Sequence, residues 1–323
     1  MTGDRSFTVA AVQAAPVFLD LDASIDRAVT LIAEAARRDA RVIAFPETWL
    51  PGYPAWISGA AGWEDPASKR AFARLSRNAL EVPSPALDRL REAAASAGSV
   101  VVIGANERDT RFSGGTLFNS QVLIAPDGEL IGVHRKLMPT HAERILWGLG
   151  DGSTLHVADT PFGRVGGLVC WEHWMPLVRF AMHAKAEQVH VAAWPDAPES
   201  HHIASRHYAF EGRCFVICAV GFLRDGDVPD DFELADALRA GLAVEGDGDQ
   251  LIPGGSGIIG PDGEWLAGPV FGREEIVTAE IDLDRIAEEQ QALDAAGHYN
   301  RPDVFRLTVD ERPQVQIEWQ APE

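Results

Sequence analysis

The chain has 323 residues, enough for one large or two small domains with a full hydrophobic core. Its 28 Lys and Arg stand against 48 Asp and Glu, a formal net charge of −20, so phosphate backbones and anionic headgroups would repel it. Neither nucleic acid nor a membrane surface is an expected partner. With 46% hydrophobic and 24% charged residues, the composition excludes a disordered chain and predicts a soluble folded protein.

The hydrophobic pattern alternates between short apolar runs and a period of 3.6, which predicts an α/β fold. Residues 7–14 read as a first core strand; the mildly apolar stretch 7–19 is preceded by Asp4 and interrupted by Gln13 and Pro16, which argues against a secretory segment. Residues 22–38 place Ile25, Ala28, Val29, Ile32, Ala33 and Ala36 on one helical stripe, and 41–45 follow as a short buried strand. Ser84-Pro85 supplies an N-cap and a first-turn proline for a helix to about Ala97, closed by Gly98 before a strand over 99–103. Residues 117–125 and 129–133 form a hairpin around Pro126-Asp127-Gly128. A second hairpin joins 257–260 to 264–267 around Pro261-Asp262-Gly263. The likeness of the two hairpins hints at internal pseudo-symmetry, although two common turns can also match by chance. Residues 224–250 carry nine acidic residues against two arginines and read either as a solvated surface loop or as an interface segment. No linker divides the chain, so one domain over 1–323 is expected.

Three cysteines, Cys170, Cys214 and Cys218, are too few and odd in number for a disulfide framework and suit a reducing cytoplasm. Cys214 and Cys218, four apart in an apolar run, read as packing residues. Gly255-Ser-Gly257-Ile-Ile-Gly260 matches the dinucleotide fingerprint as a string, but it leads into a turn where a pyrophosphate would need a helix N-terminus. None of the ten histidines forms a His-Glu-x-x-His pair, and Asp225-Gly-Asp227 and Asp247-Gly-Asp249 lack the spacing of a calcium loop. No metal and no cofactor is expected. A Gly-x-Ser-x-Gly elbow is absent, and no apolar run approaches the ~18 residues that span a bilayer.

Three segments each place a reactive group just past a predicted strand, where active sites gather in open α/β sheets. They are Phe45-Pro-Glu47-Thr-Trp-Leu-Pro-Gly-Tyr53-Pro, His134-Arg-Lys136-Leu-Met-Pro-Thr140-His-Ala-Glu143-Arg, and Val169-Cys170-Trp171-Glu172-His173-Trp-Met-Pro. A thiol is mostly protonated at neutral pH and needs a base, which a carboxylate supplies; a lysine stabilises negative charge developing on the substrate. Taken singly, the cysteine has an equally ordinary reading as buried packing and the Glu and Lys as solvated loop residues. Spacing alone does not show that they converge.

Together the three segments resemble the Glu, Lys and Cys motifs of the nitrilase (carbon-nitrogen hydrolase) superfamily, and most closely its nitrilase branch. Trp147-Gly-Leu-Gly-Asp-Gly-Ser153 and Gly297-His298-Tyr-Asn-Arg-Pro-Asp-Val-Phe305 extend the likeness, which covers about residues 7–310. The resemblance implies a four-layer αββα sandwich and a homo-oligomer, a homodimer or a larger spiral, with 224–250 as a contact. It implies Glu47, Lys136 and Cys170 as catalytic residues hydrolysing a nitrile to carboxylic acid and ammonia. Glu143 and His298 then support the site, and the backbone N–H of Trp171 is a second donor to the developing charge. Tyr53, Trp56, Thr140, Glu172 and His173 are expected to shape the pocket. Small residues with Trp56 and Trp63 over 54–63 favour arylaliphatic nitriles, with aliphatic nitriles next. The alternatives within the superfamily are an amidase or carbamoylase and a cyanide dihydratase; outside enzymes, the alternative is a catalytically silent filament scaffold.

Overall fold

A computed structural model describes residues 5–60, 62–111, 113–242, 249–315, 317–318 and 320. The chain opens with β1 (Ser6–Gln13), α1 (Leu21–Arg37) and β2 (Ala40–Ala44). Helices α2 (Pro66–Arg77) and α3 (Pro85–Ala97) lead to β3 (Val100–Asp109), β4 (Thr116–Ile124) and β5 (Leu130–Arg135). The second half runs through β6 (Val157–Thr160), β7 (Gly163–Val169), α4 (Pro176–Ala184), β8 (Val189–Trp194), α5 (Glu199–Gly212) and β9 (Phe215–Val220). It closes with β10 (Phe222–Arg224), α6 (Ala235–Gly241), β11 (Gln250–Ile259), β12 (Trp265–Phe271), β13 (Glu275–Asp282) and α7 (Asp284–Gln290).

Local chemistry sets the helix ends. Asp20 caps α1 by accepting from the Ala23 N–H, Asp65 caps α2, and Ser84 caps α3 by accepting from Leu87. Gly98 ends α3 in the left-handed conformation at φ 61°, as its place after the apolar stripe predicts.

The strands build two mixed sheets, ordered β13-β1-β2-β3-β4-β5 and β10-β11-β9-β8-β7-β6, with β12 also paired to β11. In each sheet two parallel pairings (β1·β2·β3 and β7·β8·β9) are followed by two antiparallel ones (β3·β4·β5 and β9·β11·β12). An antiparallel strand lies on the other side of the lead strand, β13 beside β1 and β6 beside β7. The two Pro-Asp-Gly hairpins therefore occupy equivalent places, and their likeness reflects a repeated topology.

Side-chain alternation decides the layers. Val9 and Ala11 of β1, Val42 and Ala44 of β2, and Val100 and Val102 of β3 meet Val189, Val191, Phe215 and Ile217 between the sheets. The opposite faces, Ala10, Val12, Ile43, Val101 and Ile103, pack against α1 and α3 through Ile25, Ile32, Leu87 and Leu90. On the second sheet Ala192, Trp194, Val216 and Cys218 pack against α4 and α5 through Val178, Met182, Tyr208 and Ala209. The result is an αββα sandwich, as expected. Cys214 and Cys218 are buried free thiols in its helix-facing core.

Residues 224–250 differ from a solvated loop. Val228, Phe232, Leu234, Leu238 and Leu242 are buried in one cluster with Trp56, because the acidic residues are interleaved with apolar ones that turn inward, Leu238 from α6 and the others from the segments flanking it. Residues 243–248, with Asp247, lie outside the described residues. Among the described residues no helix is long and apolar enough to cross a membrane.

Candidate active site

Glu47 stands on the loop after β2. Phe45 N–H donates to Val102 O and Leu50 N–H to Gly104 O, both in β3, and the Trp49 indole donates to Ala14 O just past β1, so the two strands flanking β2 hold the segment. Asn106 Nδ2 donates to Leu50 O and Gly52 O and closes the loop from beneath. Gly104 is required by close approach: a Cβ there would stand 2.5 Å from the Thr48 nitrogen and nearer still to the Pro46 carbonyl oxygen.

Lys136 follows β5, its N–H held by Asn119 O at 2.8 Å. Its Nζ donates to Glu47 Oε1 at 2.9 Å and to Glu143 Oε2 at 2.7 Å, and all three side chains are buried. Glu143 comes from a 3-10 turn over His141–Ile145; it also accepts from the Thr140 N–H at 2.6 Å and from Tyr53 Oη at 2.8 Å. Asn119 Nδ2 donates to Glu47 Oε1 at 2.5 Å, whereas Glu47 Oε2 is buried and accepts from no described residue.

Cys170 directly follows β7 and starts a 3-10 turn over Cys170–Trp174. It adopts φ 53°, a left-handed conformation unusual for a residue with a side chain and a recurrent sign of a functional position. Its Sγ lies in the field of Glu47 and Lys136. Burial, with Glu47 next, pushes its thiol well above the ordinary value, and Lys136 opposes this. Burial likewise raises Glu47 to about 7 against the pull of Lys136. Burial disfavours the Lys136 charge, but Cys170, Glu47 and Glu143 together outweigh it and hold the ammonium well above the ordinary lysine value. The arrangement is therefore a protonated lysine, a neutral thiol and a carboxyl group able to exchange a proton near neutrality, with one oxygen uncommitted.

The three strand-end segments thus converge, and Glu143, Tyr53 and Thr140 join them. Several other expected residues sit elsewhere. Glu172 is committed to structure: it accepts from the N–H groups of Leu137 and Val169, both at 2.8 Å, and pairs with His134 Nε2 at 2.9 Å. Burial would raise Glu172, but His134 and these donors prevail and lower it; His134 is raised in turn. Glu172 ties the Lys136 and Cys170 loops together, with both carboxylate oxygens engaged by these partners. His173 turns into the helix-facing core, stacked on Trp194 at 4.8 Å. Trp56 is fully buried between Phe18 and Phe232, behind the pocket wall, and Trp63 is 90% exposed, so neither forms a stacking platform. His298 is exposed with its ring against Tyr299 and makes no described hydrogen bond to the Glu47–Lys136–Glu143 cluster. The Trp171 ring is half exposed and donates to His201 Nε2.

Asn119 was not anticipated. Its signal was available: Asn119-Ser-Gln121 are three consecutive polar residues inside a strand whose neighbours are apolar, and all three are buried.

Glu47 opens into a cavity of about 20 Å³ walled by Phe18, Trp49, Tyr53 and Phe222. Larger hollows of about 570 and 720 Å³ lie elsewhere, one beside α4 and α5 and one between α1 and α3. The small cavity is the relevant one because it holds Glu47 and Tyr53, whereas the two larger hollows hold no member of the cluster. Among the described residues no group of His, Cys, Asp or Glu is arranged to hold a metal ion.

The carbon-nitrogen hydrolase family model matches residues 8–291. An aliphatic nitrilase of Sinorhizobium fredii is 43% identical over 95% of this chain and 96% of its own. An aliphatic nitrilase of Rhodococcus rhodochrous is 41% identical over 95% of this chain and 84% of its own. Among solved structures, Nit3 of Saccharomyces cerevisiae, a member of branch 10 of the nitrilase superfamily, superposes with a TM-score of 0.69 at 19% identity, covering 93% of this chain and 98% of its own. The same sheets and helices carry both, and the chain belongs to the carbon-nitrogen hydrolase family.

Proposed function

We propose that the protein is a nitrilase, one catalytic domain that hydrolyses an organic nitrile to a carboxylic acid and ammonia, with Cys170 as nucleophile, Glu47 as proton carrier and Lys136 as charge stabiliser. The observation that carries this reading is the buried Glu47–Lys136–Glu143 array beside Cys170, in which one oxygen of Glu47 is left uncommitted.

Glu47 Oε2 takes the thiol proton as Sγ bonds to the nitrile carbon, and returning that proton to the nitrogen gives a thioimidate. Lys136 and the Trp171 N–H stabilise the charge that collects on the attacked group. Water deprotonated by Glu47 adds to the carbon; the C–N bond breaks, ammonia departs, and a thioester remains. A second water adds, the C–S bond breaks, and the acid leaves as the thiol regains its proton. Breaking C–S before C–N releases an amide instead, and about 1.4 kcal/mol between the two barriers changes the ratio tenfold. Glu143, held by Tyr53 and Thr140, fixes Lys136; no cofactor enters.

Aliphatic nitriles are the preferred substrates in this reading. Trp56 is buried behind the wall and Trp63 is exposed, so neither tryptophan that favoured an aryl group lines the cavity beside Glu47. The two relatives named above as aliphatic nitrilases support the same choice. We place the enzyme in the cytoplasm on its three free buried thiols, and as a homo-oligomer on the exposed apolar residues Leu177, Ile203 and Phe210 of α4 and α5.

The test measures ammonia, acid and amide from wild type and Cys170→Ala over aliphatic nitriles, phenylacetonitrile, cyanide and the matching amides. Nitrile turnover that disappears in Cys170→Ala is expected. Turnover of amides alone would replace the reading by an amidase, and formate from cyanide by a cyanide dihydratase.

A further inference from the structure

The mechanism leaves unused a chain of buried polar side chains behind Cys170. His173 Nδ1 lies 2.6 Å from the Cys170 carbonyl oxygen, and His173 Nε2 lies 2.9 Å from His190 Nε2. His190 Nδ1 lies 2.9 Å from both oxygens of Glu187, and Tyr208 Oη donates to Glu187 Oε2 at 2.6 Å. Ring stacking fixes the planes, His173 on Trp194 and His190 on Tyr208 at 3.8 Å.

The partners determine where the protons sit. A carbonyl oxygen only accepts, so His173 Nδ1 carries a hydrogen. A neutral His173 then accepts at Nε2, which places a hydrogen on His190 Nε2. A neutral His190 accepts at Nδ1, so the hydrogen of the last link belongs to Glu187 as a carboxylic acid, whose other oxygen takes the Tyr208 hydroxyl. Three links need three protons. Moving one from Glu187 to His190 keeps the count; losing one leaves two lone pairs facing each other at a buried link.

The surroundings favour the neutral chain. Glu187 is faced by His190 of β8, Tyr208 and Glu211 of α5, His183 of α4 and Cys214 before β9, while β7 places Gly166 against it and Arg164 on the wall of the hollow that Glu187 borders. His190 is further within the field of Glu172 and His134. Burial pushes Glu187 up to about 8, against Tyr208 and His183, and burial holds both histidines well below their ordinary value. Glu187 also borders the hollow of about 570 Å³ beside α4 and α5, which gives its proton a way out.

We propose that Glu187, His190 and His173 are positioning residues forming a three-proton relay that holds the Cys170 carbonyl, and with it the left-handed backbone that presents the thiol, and that ionisation of Glu187 releases this hold. The proposal rests on the reading of Cys170 as nucleophile.

Glu187→Gln tests it, because the amide donates to His190 Nδ1 and accepts from Tyr208 at any pH. Glu187→Leu removes the donor. At pH 7 Glu187→Gln is expected to keep kcat within about threefold, and Glu187→Leu to lose about thirtyfold or more in kcat with KM within about twofold. Above pH 8 wild type loses kcat while Glu187→Gln stays flat. Tyr208→Phe, which keeps the stacked ring but removes a donor to the carboxylate, moves the alkaline limb upward. Alkylation of Cys170 by iodoacetamide, followed by intact mass, repeats the comparison without turnover. Equal losses in the Gln and Leu variants, an alkaline limb unchanged in Glu187→Gln, or one unmoved in Tyr208→Phe would overturn the relay. Survival of turnover in Cys170→Ala would instead overturn the nucleophile reading, so the two failures are distinct.

Discussion

A methyl group on Gly104 would stand 2.5 Å from the backbone nitrogen of Thr48, so the loop that carries Glu47 rests directly on the bare backbone of β3. The contact is between main chains, and neither side can yield by turning a side chain. Gly104→Ala is expected to lower stability by about 1–3 kcal/mol through overpacking. Its kcat falls about a hundredfold, since a displacement near 1 Å at a reacting group has that effect. Circular dichroism and steady-state kinetics check both; a folded variant with unchanged kcat would contradict the placement of Glu47.

Lys136 neutralises two buried carboxylates at once. Lys136→Met leaves Glu47 and Glu143 facing each other without a cation, and removal of one partner of a buried pair lowers stability by about 3–5 kcal/mol. Denaturant unfolding should show this loss, and nitrile turnover should fall to background. Met keeps the chain length, so packing alone would produce a much smaller change.

The pH dependence follows from Glu47. As proton acceptor it acts ionised, so kcat/KM rises as pH passes through about 7. The stability effect has the opposite sign. A folded-state value above the unfolded one means that the folded protein holds the proton longer, so this contribution is full below pH 4.5 and lost as pH rises through about 7. Thermal unfolding between pH 4.5 and 8 should show a declining midpoint, and Glu47→Gln should flatten part of the decline. A midpoint slope identical in the two proteins would remove Glu47 as its source.

Phe222 walls the small cavity and is buried. Phe222→Ala is expected to lose about 3–5 kcal/mol of stability and to open space for a ring. Competition between a short aliphatic nitrile and phenylacetonitrile should shift about tenfold or more towards the aryl substrate, a change of at least ~1.4 kcal/mol. If the ratio stays fixed, the cavity beside Glu47 does not set substrate size.

Much of this was legible without coordinates. The caps at Ser84 and Gly98 and the two Pro-Asp-Gly hairpins follow from local rules, since each depends on residues within a few positions of one another; the α1 stripe holds at Ile25, Ala28 and Ile32, whereas Ala33 is exposed and Ala35 is buried. The strand ends bearing Glu47, Lys136 and Cys170 were readable for the same reason. The helix 235–241 was not, because its seven residues hold a single large apolar side chain, Leu238, too few for a periodic stripe, and only the Trp56 cluster shows which side is buried.

Residue chemistry along the chain determined which groups were available: a thiol, a carboxylate and a lysine, each just past a strand, on an alternating α/β pattern. Tertiary structure decided what each one touches. It turned Glu172 and His173 from the expected pocket into a tie between loops and a link to His190. It placed Asn119 on Glu47, buried Trp56 and left His298 exposed. The reason is physical: side-chain direction at a strand end is set by backbone angles and by partners on other elements, 35 positions away for Glu172 and Leu137 and 17 for His173 and His190, and one sequence read in order does not hold those pairings.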